Sequence, residues 1–183
     1  MIAKQRNKSK TKGATWEREI ANFLSELYHS SFVRVPNSGA FIGGKNSIRK
    51  EILHQGQIRI MKGDIIPPDD WGHFNCEAKN YADFPFHQLL QGECKQLETW
   101  LSQLMEVTDE GDLNILLFKI TRKGKFIAVQ QSNSWNINIP HTTYISSNHN
   151  IWQIFEYYDF WKTNSSIAQS LATNGFLAKN NST

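Results

Sequence analysis

Apolar positions first recur at helical spacing just after residue 14. Ile20, Phe23, Leu24, Leu27 and Tyr28 fall at i, i+3, i+4, i+7 and i+8, one face of an amphipathic helix. Thr15 is a candidate cap for its start, and His29-Ser30-Ser31 closes it. Phe32-Val33-Arg34-Val35 reads as a short strand stopped by Pro36-Asn37-Ser38-Gly39. Residues 37–62 carry Gly39, Gly43, Gly44 and Gly56 among Lys45, Arg49, Lys50, Arg59 and Lys62, and read as a long functional loop. Short strands follow at Gly63–Pro67 and Phe74–Lys79. Leu89, Leu90, Leu97, Trp100, Leu101, Leu104 and Met105 then predict a second helix over 86–107. The nearly all-apolar Leu113–Ile120 and the run Lys125–Gln130, joined by the turn Arg122-Lys123-Gly124, predict two strands that close the domain.

This order, with no internal repeat, predicts an α/β fold with a mixed central sheet flanked by helices. The organisation expected is a flexible basic arm at 1–13, a core domain at 14–130, an extension at 131–163 packing on the core or on a dimer partner, and a polar tail at 164–183. Trp152, Phe155 and Phe160 are expected in the core or a dimer contact rather than on a base-stacking surface. The 183 residues include 22 aromatic side chains, enough to build a core and to exclude whole-chain disorder. No run approaches the ~18 apolar residues of a membrane helix, and no apolar segment follows the charged start, so a cytoplasmic protein is expected. Cys76 and Cys94 lack CxxC spacing and read as reduced thiols. His141 and His149 lack a third partner at zinc-ligand spacing.

Charge is unevenly spread along the chain. Residues 1–62 hold 12 Lys/Arg against 4 Asp/Glu, a balance of +8, whereas 63–183 hold 8 against 13, a balance of −5. Such asymmetry suggests that one part of the chain meets a polyanion, the alternative being a solvated basic face, and charge alone does not decide between them. Candidate phosphate contacts are Lys10, Lys12, Arg18, Arg34, Asn37, Ser38, Lys45, Arg49 and Lys50, which would give affinity with little sequence information.

Three acids stand out against this background. At roughly 100° per residue Glu17 lies on the apolar stripe of the first helix, while Glu19 and Glu26 lie opposite. A carboxylate turned to a core needs a partner, unless it sits at the helix start, where the dipole favours it. Asp64 opens a strand beside Gly63, and Glu77 and Lys79 project from one side of the next. Two carboxylates on adjacent strands ionise together only if a cation compensates them. Hard oxygen ligands beside a lysine describe a Mg²⁺ site for phosphoryl transfer.

The pattern Lys12-Gly13-Ala14-Thr15-Trp16-Glu17-Arg18-Glu19-Ile20, Arg34, Asn37-Ser38-Gly39, Gly63-Asp64-Ile65 and Glu77-Ala78-Lys79 resembles the PD-(D/E)xK nuclease superfamily. Within it, the pattern is most similar to archaeal-type Holliday junction resolvases and their phage-encoded relatives. The resemblance spans residues 12–130 and implies a restriction-endonuclease-like core. It implies that Asp64, Glu77 and the Ala78 carbonyl bind Mg²⁺, with Mn²⁺ able to substitute, and that Glu17 completes the site directly or through water. Lys79 would orient the attacking water or stabilise charge on the phosphate, leaving 5′-phosphate and 3′-hydroxyl ends. The DNA partner implied is a four-way junction or other branched DNA, cut by a two-fold homodimer in the cytoplasm, the host's if the protein is phage-encoded. The loop from Ser38 to Asp64 is longer than in a small resolvase, and 131–183 has no counterpart in the minimal fold. Any of Gln88, Gln91, Gln96 and Gln103 is a candidate to approach the metal.

Two other readings remain at this stage. A nuclease of the same core could nick, restrict, home or process ends, and a DNA-binding protein could keep the fold without catalysis.

Overall fold

The computed structural model describes residues 8–35, 62–132 and 135–176. Helix α1 spans Lys8–Tyr28, strand β1 Val33–Arg34, β2 Ile65–Ile66, β3 Phe74–Tyr81, helix α2 Lys95–Met105, β4 Leu113–Ile120, β5 Gly124–Gln130, β6 Thr142–Ile145, β7 Ile151–Glu156 and helix α3 Tyr157–Asn174. Strands β1 and β2 pair antiparallel, with Arg34 opposite Ile65. The main sheet has the order β3-β4-β5-β7-β6. Its β3–β4 pair is parallel, with Glu77 opposite Leu116, and the other pairs are antiparallel. The expected α/β class with a mixed sheet between helices is the fold observed.

Both faces of the sheet are covered, which is why β4 reads as an unbroken apolar run. On one face Cys76, Ile115, Leu117, Ile127 and Val129 pack with Trp16, Ile20 and Leu24 of α1 and Phe160, Trp161 and Ala168 of α3. On the other, Leu116, Phe118, Ala128 and Trp152 pack with Leu97, Trp100, Leu101 and Leu104 of α2. Alternate residues of one strand thus serve two cores.

Four expectations change. Helix α1 starts at Lys8 rather than near Thr15, so Thr15 is an interior residue and Lys8–Gly13 are helical. Lysine is a good helix former, and the Lys12 carbonyl accepts a bond from Asn80 Nδ2 at 3.0 Å, tying this stretch to the end of β3. The helix expected over 86–107 is two elements, a 3₁₀ turn at Phe86–Leu90 and α2. Gly92 (φ +88°) breaks it, and Leu90 points to solvent.

The sheet does not close at β5, because β7 pairs along it from Phe126↔Glu156 to Gln130↔Trp152 and β6 follows outside. Trp152, Phe155 and Phe160 are buried accordingly. The stretch from Asn164, expected as a polar tail, continues α3 to Asn174. Its Ser, Thr and Asn residues disguise an apolar set at Ala168, Leu171 and Ala172, spaced i, i+3, i+4 and buried. Asn164 is buried as well, accepting from Trp135 Nε1 at 3.3 Å and donating to the Phe160 carbonyl at 3.1 Å. Among the described residues no helix is long and apolar enough to cross a membrane.

Candidate active site

Strand β3 is an edge of the main sheet, so alternate N–H and C=O groups face outward without a strand partner. The residues around Asp64 take that place. The Asp64 N–H donates to the Cys76 carbonyl at 2.8 Å, and the Asp64 Oδ2 accepts from the Ala78 N–H at 2.8 Å. The Asp64 carbonyl in turn accepts from Val35 N at 2.9 Å. Asp64 is thereby held by backbone groups on both sides, and it is buried. In an extended strand one residue's N–H and C=O point the same way, so the Ala78 carbonyl also faces this edge.

Gly63 makes the approach possible. Its φ is +74°, and a Cβ there would stand 2.4 Å from the Cys76 carbonyl oxygen. Only glycine fits both the backbone angle and the space.

Glu77 and Lys79 project from β3 on the α2 side and form an ion pair, as the i, i+2 spacing predicts. Glu77 is 9% exposed. Burial above all, with the nearby Asp64 and a smaller push from Glu17, raises its carboxyl to about 7 against the opposing pull of Lys79. Three carboxylates therefore feel one another here, and proton or cation must relieve them.

Glu17 lies mid-helix, nine residues after the start of α1, so the helix dipole does not account for it. Its partner is Arg34 of β1, whose Nε donates to Glu17 Oε2. The opposite acid, Glu19, joins Lys119 of β4 at 2.7 Å and Lys125 of β5 at 2.6 Å. Lys119 also stands 5.4 Å from the centre of the Trp16 ring. Glu19 thus clamps α1 to the sheet while Glu17 faces the acidic cluster, a division of labour that the helical wheel anticipates.

The donor set fits Mg²⁺ or Mn²⁺. Asp64, Glu77 and the Ala78 carbonyl offer hard oxygens on one edge, with Glu17 adding negative field. Among the described residues no three or more Asp, Glu, His or Cys side chains are grouped to hold a metal ion, so the set is two carboxylates and a carbonyl. An open set of this kind suits Mg²⁺, which keeps several waters and binds phosphate oxygens alongside one or two carboxylates.

The remaining expected contacts divide. Lys12 and Arg18 are exposed on α1, and Arg34 is engaged by Glu17. Lys10 belongs to α1, and Asn37, Ser38, Lys45, Arg49 and Lys50 lie outside the described residues. Gln96 donates to the Asp83 carbonyl at 3.4 Å, Gln103 is exposed, and Gln88 and Gln91 precede α2. Sequence reading missed Lys62, grouped there with the loop cations. It is buried beside Asp109 and Asp112, and no local signal marks a lysine as buried.

A family model described as "Phage putative PDDEXK endonuclease" matches residues 8–174. No curated protein and no solved structure matches the chain.

Proposed function

We propose, for a chain that belongs to the phage PDDEXK endonuclease family within the PD-(D/E)xK nucleases, the metal-dependent hydrolysis of phosphodiester bonds in branched DNA. The observation that carries the reading is the bond from the Ala78 N–H to Asp64, which seats one acid against the Glu77-Ala78-Lys79 run. In this reading Asp64, Glu77 and the Ala78 carbonyl hold Mg²⁺, or Mn²⁺ in its place. A bound divalent ion supplies positive charge for the scissile phosphate and lowers the pKa of water.

The chain's own groups do the rest. Asp64 is fixed by two backbone–backbone bonds and by the Ala78 N–H donating to its Oδ2, so its carboxylate is already ordered before substrate binds. Lys79 carries its ammonium to the same edge, where it orients the attacking water and offsets charge developing on the phosphate. Glu17, paired with Arg34, adds to the field that draws the cation in. Water attacks phosphorus and the P–O3′ bond breaks, so the 3′ oxygen leaves as a hydroxyl and the phosphate stays on the 5′ side.

Support for branched DNA comes from the motif order, above all the Lys-Gly and Glu-Arg-Glu helix and the Asn-Ser-Gly segment. Symmetric incision of a junction needs two such sites, so the working unit in this reading is a two-fold homodimer. The test is cleavage of labelled four-way junction, flap, linear duplex and single strand, each with Mg²⁺ or EDTA. Paired nicks near the branch point, absent in EDTA, are expected. Equal cutting of linear duplex would keep the nuclease and discard the junction. Binding without any cutting would leave a DNA-binding protein.

A further inference from the structure

Asp64 follows a glycine, and glycine is the most permissive hinge a chain can carry. For Asp64 to hold one position, the residue on the other side of that hinge must also be fixed. That residue is Lys62. Its side chain is 5% exposed, so it is no phosphate contact; its Nζ lies 2.9 Å from Asp109 Oδ2 and makes an ion pair with Asp112.

Asp112 is itself held firmly. Its side chain is 1% exposed, its Oδ2 accepts from the Asp109 N–H at 2.7 Å, and His73 Nδ1 stands 3.7 Å from its Oδ1. The adjoining chain is anchored too, with Leu113 N bonded to the His73 carbonyl at 2.7 Å and His73 N to the Ala172 carbonyl at 2.8 Å. Lys62 is therefore tied to the start of β4, while Asp64 is tied to β3. Only Gly63 lies between them.

We propose that Lys62, through its buried pair with Asp112, is a positioning residue that keeps the Gly63 hinge closed and Asp64 on the Ala78 N–H. This rests on the reading of Asp64 as a metal-holding carboxylate. A buried ion pair is poor evidence of stability, since its desolvation can cancel its attraction. Its geometric effect remains: it removes the freedom of the glycine next to the acid. Groups that orient metal ligands are worth about 10–100-fold in metal affinity.

The test uses the full-length protein as wild type, as Lys62→Met/Asp112→Asn and as Lys62→Arg. The double substitution removes both charges, so neither is left buried alone. Hydrogen exchange of the Ala78 amide is compared with that of Leu117 in the middle of β4, and the Mg²⁺ midpoint is read from metal-induced thermal stabilisation. The double variant is expected to speed exchange at Ala78 but not at Leu117, and to raise the Mg²⁺ midpoint about tenfold, with Lys62→Arg restoring most of both. A folded double variant with wild-type Ala78 protection and an unchanged Mg²⁺ midpoint would overturn the proposal. So would equal acceleration at both amides, the mark of a merely structural pair. A wild type that Mg²⁺ does not stabilise would remove the metal-site reading itself, a separate failure visible before any variant is made.

Discussion

Gly63 sets the most stringent requirement at the residue scale. A methyl group at its Cα would stand 2.4 Å from a backbone oxygen that cannot move without moving β3. Added to the positive φ, this makes Gly63→Ala destabilising by at least ~1–3 kcal/mol. Because the same shift pulls Asp64 from the Ala78 N–H, activity should fall by more than tenfold. Urea denaturation and cleavage rate check the two effects. An unchanged midpoint with unchanged cleavage would show that the backbone relaxes freely there. Glycine next to an acid is visible in the sequence, but its steric reason is not, because the blocking carbonyl belongs to Cys76. The wheel likewise placed Glu17 on the apolar stripe and demanded a partner. That Arg34 would be this partner depended on β1 pairing beside α1.

At the scale of elements, periodicity located α1, β3, β4 and β5 because each carries a clear apolar pattern. It failed where other constraints ruled. The run over 86–107 has helical spacing throughout, yet Gly92 breaks it and Cys94 N donates to Tyr144 Oη at 3.1 Å. Helix α2 is tied to the outer hairpin through the same tyrosine. Glu98 accepts from Tyr144 Oη at 2.5 Å, Ser147 Oγ at 2.7 Å and Ser147 N at 3.1 Å. Partial burial pushes Glu98 up, but the bonds from Tyr144 and Ser147 outweigh it and hold its carboxyl below the ordinary 4.5. A carboxyl depressed on folding contributes stability that is complete above its unfolded value and is lost as pH falls through its folded one. Glu98→Ala should therefore lower the melting temperature at pH 7, and the difference from wild type should shrink below pH 4. Melting curves across that range check it; a pH-independent difference would mean that Glu98 acts by packing rather than by charge.

Among the described residues, charge is divided along β3 and β4. At or past their ends lie Lys12, Lys119 near the end of β4, Arg122 and Lys123 of the turn, and Lys125 near the start of β5, with Thr121 N bonded to the Tyr81 carbonyl at 3.0 Å to hold the hairpin tip beside β3. At their beginnings lie Asp69, Asp70, Glu106, Asp109, Glu110 and Asp112. Much of the basic first third of the sequence lies outside the described residues; the hairpin cations belong to the acidic block of the sequence, and only the fold brings them beside Lys12. Lys119 and Lys125 share Glu19, and Lys123 pairs with Asp83 at 2.5 Å. Arg122 is exposed at φ +63°. On the proposed function, Arg122→Ala should weaken DNA binding several-fold and reduce the salt dependence of log K by about 1, whereas Lys95→Ala on α2 should do neither. Anisotropy titrations at several salt concentrations decide this, and equal effects from both variants would count against a directed DNA path.

The arrangement of Asp64 on the Glu77-Ala78-Lys79 edge makes its clearest demand on the cleavage step itself. The measurement is the single-turnover rate of DNA cleavage by wild type, Asp64→Asn and Lys79→Met, at saturating protein with Mg²⁺ or EDTA. Asp64→Asn keeps an oxygen for the Ala78 N–H, so the fold should survive; DNA should remain bound while cleavage falls by at least about 10²-fold, as it should for Lys79→Met. Wild type in EDTA should not cut. Cleavage at the wild-type rate by Asp64→Asn, or undiminished cutting in EDTA, would contradict the assignment of this edge as the active site.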